Sequence, residues 1–126
     1  MSQTILVVDD SPTVVKFVSF SLKKGGYAVV TACDGMDALE KISNLTEEVD
    51  LVITDLNMPN LDGYALVSTL RQNEAYRKTP IIILTSEEEE ADRQKGLEVG
   101  ADSYIVKPFK PALLLAEVTK FLNKNK

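Results

Sequence analysis

The sequence predicts an α/β fold in which a five-stranded parallel sheet carries helices on both faces. Short apolar runs without polar alternation recur along the chain, and such runs are typical of strands that are buried on both faces. Each run is followed after a short connection by a segment with helical spacing of its apolar residues, and this alternation occurs five times. Five such units fit the strand order 2-1-3-4-5 best.

The first unit is the most clearly marked. The apolar run Ile5–Val8 ends on two carboxylates, Asp9 and Asp10. Ser11-Pro12 then predicts a helix start, because Ser is a favoured N-cap and Pro fits the first helical position. Apolar residues follow at helical spacing until a glycine pair stops the helix: Val14, Phe17, Val18, Leu22, then Gly25-Gly26.

The second and third units are read in the same way. Tyr27–Ala32 predicts a strand, and a short helix marked by Ala38, Leu39 and Ile42 fades into the polar stretch 43–50. The run Leu51–Thr54 predicts the next strand, which ends on Asp55 and breaks into a loop. Asp62 is then the expected N-cap of a helix with Leu66 and Leu70 on one face.

The fourth unit begins with the run Ile81–Leu84, which places Thr85 at the strand end. Glu87–Glu90 should open the helix, since acidic side chains suit the positive end of the helix dipole. This helix carries few apolar residues and Gly96, so we expect it to be the least stable of the five. Gly100 should end it.

The fifth unit is the strand Ser103–Val106, which Lys107-Pro108 closes. Pro111 begins the last helix, and the chain end 123–126 reads as a frayed tail. The apolar face of this helix should point inward: Leu114, Val118, Phe121 and Leu122.

Composition excludes several classes of function. A chain of 126 residues has the size of one domain, and a net charge of -5 argues against a protein that binds nucleic acid through its phosphates. No apolar run approaches the span of a bilayer, so we expect a soluble cytoplasmic protein with no membrane partner. The only cysteine, Cys33, should be half-buried. The chain contains no His, so phosphohistidine chemistry must involve a partner's histidine.

The predicted strand order brings five polar residues to one rim of the sheet. Asp9, Asp10, Asp55, Thr85 and Lys107 all follow strands, and the carboxyl ends of parallel strands meet at the same edge. Three carboxylates in contact repel one another, and a hard divalent cation resolves this conflict. Oxygen ligands without His or Cys favour Mg²⁺, which commonly binds through one or two carboxylates and a phosphate oxygen.

The same rim suits phosphoryl transfer, which depends largely on positioning and charge neutralisation. Asp55 ends a central strand before an open loop, so it is the candidate phosphoryl acceptor. Asp9 and Asp10 are suited to holding the metal. The Lys107 ammonium adds positive charge, and the Thr85 hydroxyl can donate a hydrogen bond to a phosphoryl oxygen.

The chain resembles the receiver domains of two-component response regulators over essentially its whole length. This resemblance implies a flavodoxin-like fold. Four motifs match that family in order and spacing: VVDD at Val7–Asp10, DLNMPNLDG from Asp55, LTS at Leu84–Ser86 and KPF at Lys107–Phe109. The resemblance implies Asp55 as the phosphoacceptor, Asp10 as a direct Mg²⁺ ligand and Asp9 as a water-mediated one. It also implies that Asp55 and the Asn57 backbone carbonyl contact the metal and that Lys107 binds the phosphoryl group.

Further roles are implied by the resemblance alone. Thr85 falls at the position of the switch hydroxyl and Tyr104 at that of the aromatic switch residue, and the bond before Pro108 should be cis. Asn57 and Glu87 fall at positions that tune how water reaches the acyl phosphate.

Within the family, the chain is most similar to the chemotaxis regulator. Asn57, Glu87 and Asn60 carry this similarity, whereas Leu56 replaces a frequent Trp and Ser86 a usual Ala.

We therefore expect residues 1–126 to form a single, stand-alone receiver domain. It should accept a phosphoryl group from a histidine kinase onto Asp55 with Mg²⁺, and signal by phosphorylation-dependent protein binding in chemotaxis or motility. The expected partners are that kinase, a downstream target such as the flagellar switch or another motility component, and a phosphatase. We expect a monomer that is a regulatory phosphoacceptor rather than an enzyme.

Three alternatives remain open at this stage. The domain could serve as a phosphate sink or phosphorelay intermediate. An aspartate-nucleophile phosphohydrolase would use Asp55 similarly, but such enzymes typically have a second acid two residues later, where this chain has Asn57. A flavin or nucleotide binder would need a Gly-rich or Ser/Thr-rich loop after the first strand, where Asp9 and Asp10 lie instead.

Overall fold

The computed structural model describes residues 3–45 and 48–123. Its five strands are all parallel and form one sheet in the order β2-β1-β3-β4-β5, as the sequence predicts. The elements are β1 Thr4–Val8, α1 Pro12–Lys24, β2 Ala28–Ala32, α2 Gly35–Asn44, β3 Leu51–Thr54, α3 Gly63–Arg71, β4 Ile81–Thr85, α4 Glu90–Val99, β5 Ser103–Val106 and α5 Pro111–Asn123.

Each face of the sheet has its own core. Successive strand side chains point to opposite faces, so the apolar runs divide between two clusters. Leu6 and Val8 pack in the cluster that includes Leu66 of α3. Ile5 and Val7 pack with residues of α1 and α5 in the other cluster: Val18, Leu22, Leu114, Val118 and Leu122. Burial on both faces explains why the strands show no polar alternation.

The register of β1 and β3 sets the position of the acidic residues. Val8 is the partner of Thr54, and the Asp55 N–H donates to the Val8 carbonyl at 3.0 Å. The residues that follow Val8 and Thr54 therefore leave the sheet side by side. This pairing is the reason why Asp9 and Asp55, distant in sequence, lie at one rim.

Three helices begin with a side-chain cap. Ser11 accepts from Val14 N at 3.4 Å and Asp62 from Ala65 N at 2.9 Å, which confirms both predicted caps. Asp34 caps α2 in the same way, accepting from the Asp37 N–H at 2.8 Å.

Helix α4 begins at Glu90, three residues later than predicted. Glu89 occupies its N-cap without a side-chain hydrogen bond. Glu87 is held at the rim instead, because its N–H donates to Thr85 Oγ1 and its carbonyl accepts from the Tyr104 hydroxyl. Gly96 is the buried residue of this helix, which agrees with its weak apolar pattern.

Some local predictions were wrong. Cys33 is exposed rather than half-buried, because it lies just beyond β2 in the loop before α2. Strand β2 begins at Ala28 rather than Tyr27. Phe17 is 47% exposed although it keeps the predicted helical spacing, and its ring contacts Phe109 with centroids 5.8 Å apart.

The predicted tail falls largely outside the described residues. Asn123 is the last residue of α5, and 124–126 are not described. The predicted polar stretch 43–50 begins inside α2 and includes 46–47, which also lie outside the described part. Among the described helices, none is long and apolar enough to cross a membrane.

Candidate functional site

Three carboxylates meet at the carboxyl ends of β1 and β3. Asp9, Asp10 and Asp55 each offer an oxygen, and these oxygens all lie within 4.8 Å of one another. Asp9 and Asp55 are buried, whereas Asp10 is exposed. The cluster is thus closed on the protein side and open to solvent on the other.

Lys107 supplies the positive charge nearest to this cluster. Its ammonium donates to Asp9 Oδ2 at 2.8 Å and lies 3.5 Å from Asp55 Oδ2. Lys107 follows β5, and its backbone N–H donates to the Thr85 carbonyl at 2.7 Å. The peptide bond between Lys107 and Pro108 is cis, as the resemblance implies.

Burial raises the pKa of Asp9, and two hydrogen bonds oppose this effect. Lys107 Nζ donates to one carboxylate oxygen, and the Ser11 N–H donates to the other at 2.9 Å. The Lys107 ammonium and the Ser11 N–H therefore do not fully compensate the burial of this carboxylate. A hard divalent cation with oxygen ligands fits this donor set.

The carboxylate of Asp55 is held in a defined orientation. Its Oδ1 accepts from the Leu56 N–H at 2.7 Å, and its Oδ2 faces the Lys107 ammonium. Thr54, the preceding residue, is fully buried, and its hydroxyl donates to the Asp55 carbonyl at 2.9 Å. The side chain thus emerges from a rigid strand end with one oxygen directed toward a cation.

The remaining predicted residues meet at Glu87. Its N–H donates to Thr85 Oγ1 at 3.3 Å, its carboxylate accepts from Asn57 Nδ2, and its carbonyl accepts from the Tyr104 hydroxyl at 2.8 Å. Tyr104 is half-buried, and burial, followed by the nearby Tyr64 and acidic side chains, raises its pKa to about 12. Asn57, Thr85 and Tyr104 are therefore joined through one residue of the β4–α4 loop.

The structure thus brings the eight predicted residues into two connected groups at one rim. The acidic cluster with Lys107 forms the first, and the contacts of Glu87 form the second. Asp34 was missed by sequence reasoning, although it sits beside this rim and accepts a hydrogen bond from Asn60 at 2.7 Å. The sequence could have indicated Asp34 as an N-cap, because Asp is a favoured residue at that position. Its hydrogen bond with Asn60 could not be predicted from the sequence.

Such a rim, an acidic cluster with a lysine at the switch point of a 2-1-3-4-5 sheet, defines a class of phosphoryl-accepting α/β domains. Residues 5–119 match the family described as the response regulator receiver domain. The chain belongs to this family.

Two curated relatives illustrate the match. The chain is 42% identical to the alkaline phosphatase synthesis transcriptional regulatory protein PhoP of Bacillus subtilis, over 99% of this chain and 50% of that protein. It is 40% identical to protein PilG of Pseudomonas aeruginosa, over 90% of this chain and 83% of PilG. The chain therefore spans half of the length of PhoP and most of the length of PilG.

Solved structures agree with the fold. The chemotaxis protein CheY4 of Vibrio cholerae has a TM-score of 0.89 at 38% identity, covering 97% of this chain and all of that one. The receiver domain of the sensor histidine kinase PA1611 from Pseudomonas aeruginosa has a TM-score of 0.88 at 32% identity, covering 98% of this chain and 99% of that one. The PA1611 structure has a magnesium ion coordinated in its active site cleft.

Proposed function

We propose that this receiver accepts a phosphoryl group on Asp55 from the phosphohistidine of a partner histidine kinase, with Mg²⁺ as cofactor. The observation that carries the proposal is the position of Asp55. Its carboxylate ends a buried strand, lies in a cluster with Asp9 and Asp10, and faces the Lys107 ammonium at 3.5 Å. Receiver domains of this family accept phosphoryl groups from histidine kinases.

In the proposed transfer, a carboxylate oxygen of Asp55 attacks phosphorus while the bond from phosphorus to the partner's imidazole nitrogen breaks. Mg²⁺ bound by Asp9, Asp10, Asp55 and the Asn57 carbonyl would neutralise charge on the phosphoryl oxygens. Lys107 leaves Asp9 to pair with a phosphoryl oxygen, and Thr85 donates its hydroxyl hydrogen to another. Asn57 and Glu87 control the access of water to the acyl phosphate.

The proposed output is a population shift at the β4–α4 loop. When Thr85 Oγ1 turns toward the phosphoryl group, it releases the Glu87 N–H that it now accepts from. Glu87 also anchors Tyr104, so this change reaches β5 and the weakly packed α4. We propose that a downstream protein reads this altered surface.

The finer assignment is also a proposal. We propose a single-domain, monomeric, cytoplasmic regulator in chemotaxis or another motility pathway, which agrees with its similarity to PilG and CheY4. Its target would be a flagellar switch or other motility protein, and a phosphatase would remove the signal. Neither nucleic acid nor membrane is a proposed partner.

Two outcomes would redirect this proposal. A phosphate sink or relay would show transfer without a target, and a phosphohydrolase would turn over small phosphomonoesters repeatedly. The Asn57 amide, at the position of the second hydrolase acid, donates to Glu87, which supports a phosphoacceptor rather than a hydrolase.

The test is intact-mass spectrometry after incubation with acetyl phosphate, with and without Mg²⁺. We expect a Mg²⁺-dependent, hydroxylamine-labile gain of one phosphoryl group in the wild type and none in Asp55→Asn. A gain that persists in Asp55→Asn would place the acceptor elsewhere. No gain in the wild type would leave a purely binding role.

A further inference from the structure

A hydrogen bond joins the two loops that flank the acidic cluster. Asn60, in the loop between β3 and α3, donates from Nδ2 to Asp34 Oδ2 at 2.7 Å. Asp34 lies between β2 and α2 and is buried. Its other oxygen, Oδ1, accepts from the Asp37 N–H at 2.8 Å. The two oxygens of one buried carboxylate thus cap α2 and hold the neighbouring loop.

Asn60 has a backbone conformation that few residue types adopt readily. Its φ is 68°, and it is the only non-glycine with positive φ among the described residues. Asn tolerates this left-handed region better than most residues, and its short amide remains available for a hydrogen bond. Both the conformation and the contact with Asp34 therefore favour Asn at this position.

A close backbone contact accompanies the side-chain pair. The Gly35 N–H donates to the Leu61 carbonyl at 3.1 Å. A Cβ at Gly35 would lie 2.5 Å from that carbonyl oxygen, so a larger residue would push the loops apart. The β3–α3 loop is therefore seated directly on the start of α2.

The loop is also fixed where it enters α3. The Gly63 N–H donates to the Leu56 carbonyl at 2.9 Å, and a Cβ at Gly63 would lie 2.1 Å from the Asp55 carbonyl oxygen. Asn57 lies between this contact and the one at Asn60. The chain is thus tied to the rest of the fold on both sides of Asn57, at Leu56 and at Asn60.

We propose that Asn60 and Asp34 are a positioning pair that holds the β3–α3 loop in the shape in which the Asn57 carbonyl binds Mg²⁺. This inference rests on the proposed function, since it concerns the metal of the same site. Neither side chain belongs to the acidic cluster itself. Backbone and Asn60 hydrogen bonds lower the pKa of Asp34, which agrees with an ionised acceptor.

The pair can be broken from either side. Asn60→Gly keeps the positive φ accessible but removes the amide. Asp34→Ser keeps an oxygen for the α2 cap but removes the second oxygen, which accepts from the Asn60 amide. In each single variant, the loop loses the side-chain hydrogen bond between Asn60 and Asp34, and we expect Mg²⁺ to bind about fivefold more weakly.

A reciprocal exchange provides the rescue. In the double variant Asp34→Asn with Asn60→Asp, the new amide can donate to the new carboxylate while the α2 cap is kept. The net charge stays at the wild-type value of -5, so a change in overall charge does not enter the comparison. We expect the Mg²⁺ dissociation constant of the double variant to return to within about twofold of wild type.

The measurement is a Mg²⁺ titration followed by amide chemical shifts, together with hydrogen exchange of the metal-free protein. Gly35 donates to the loop, so its amide should exchange about tenfold faster in Asn60→Gly before any metal is added. Val118→Ala, which opens a cavity in the opposite core, is the matched control. It should lose stability while its Mg²⁺ affinity stays unchanged.

The outcomes separate the two proposals. Unchanged Mg²⁺ affinity in both single variants, with a wild type that binds the metal, would overturn the positioning role alone. A double variant that binds as weakly as the single variants would also overturn it. A wild type that binds no Mg²⁺ would overturn the proposed cofactor and this inference with it.

Discussion

Lys107 Nζ donates a hydrogen bond of 2.8 Å to Asp9 Oδ2, and so joins the end of β5 to the end of β1. The Lys107 ammonium thus binds the Asp9 carboxylate, which we also propose as a metal contact. Lys107 and Mg²⁺ therefore place positive charge at one site, and each should weaken the binding of the other.

Replacing Lys107 by Met should strengthen Mg²⁺ binding. Removal of one nearby positive charge at a partly buried site is worth about 1 kcal/mol, or about fivefold in affinity. Phosphorylation by acetyl phosphate should become slower at the same time, because a phosphoryl oxygen loses its ammonium partner. A chemical-shift titration with Mg²⁺ measures the first effect. Lys110→Met is the control, and an equal gain there would point to a general surface effect.

Replacing Thr85 by Val should separate phosphorylation from the conformational response. The Thr85 side chain is fully buried, and Val has nearly the same shape without the hydroxyl. We expect Asp55 still to be phosphorylated. The changes that phosphorylation causes in the amide chemical shifts of Glu87 and Tyr104 should be mostly lost. Spectra with and without acetyl phosphate test this, with Ser86→Ala as the neighbouring control. Chemical-shift changes as large in Thr85→Val as in the wild type would show that this hydroxyl does not take part in the conformational response.

The stability of the protein should fall above about pH 10 because of Tyr104. Its pKa is raised to about 12 in the folded protein, above the ordinary value of about 10 expected when it is unfolded. The folded state then holds the phenol proton more tightly, so this contribution is complete below pH 10 and is lost as the pH rises to about 12. Urea unfolding at pH 9 and pH 11 should show a loss about 1 kcal/mol larger in wild type than in Tyr104→Phe. Equal losses of stability in the wild type and Tyr104→Phe would show that Tyr104 does not cause this pH dependence.

Replacing Arg71 by Met should destabilise the fold strongly. Arg71 donates to the carbonyls of Gly100 and Thr79 at 2.9 and 2.7 Å and to Asp102 Oδ2 at 2.8 Å, so it connects α3 with the loops beside β4. The loss of these bonds from a partly buried guanidinium should lower the free energy of unfolding by about 2–3 kcal/mol. Urea unfolding measures this.

The control for Arg71 is Arg93→Met. Arg93 is exposed and lies 3.7 Å from Glu90 one helical turn away. Exposed pairs of this kind contribute little, so the change should stay within about 0.5 kcal/mol. If both variants lost a similar free energy of unfolding, Arg71 would contribute only through its charge and not through its specific hydrogen bonds.

Helix α4 should open more easily than the other helices. It contributes the buried Gly96 to the interior, whereas α1 and α5 bury Val18, Leu22 and Leu114 among others. We expect its amide hydrogens to exchange at least about tenfold faster than those of α1 and α5 at neutral pH. Equal protection in all three helices would contradict a low-stability α4 and would weaken the proposed output at this surface.

Most of the architecture followed from local patterns. The apolar runs Ile5–Val8, Leu51–Thr54 and Ile81–Leu84 predicted three of the strands, and the fivefold alternation of strand and helix predicted the strand order. The start of α4 was wrong, because acidic residues alone do not show where a helix begins. Glu87 is held out of the helix by Thr85 and Tyr104, and these contacts depend on the packing of β4 beside β5.

The sequence by itself determined which residues reach the rim, because strand order and strand ends are set by local periodicity and chain connectivity. Asp9, Asp55 and Lys107 meet for that reason. Only the tertiary structure decided which carboxylate oxygens the Lys107 ammonium faces and which loop Asn60 contacts. Such contacts join side chains far apart in sequence, and their geometry depends on how closely the backbones approach, as at Gly35 and Leu61.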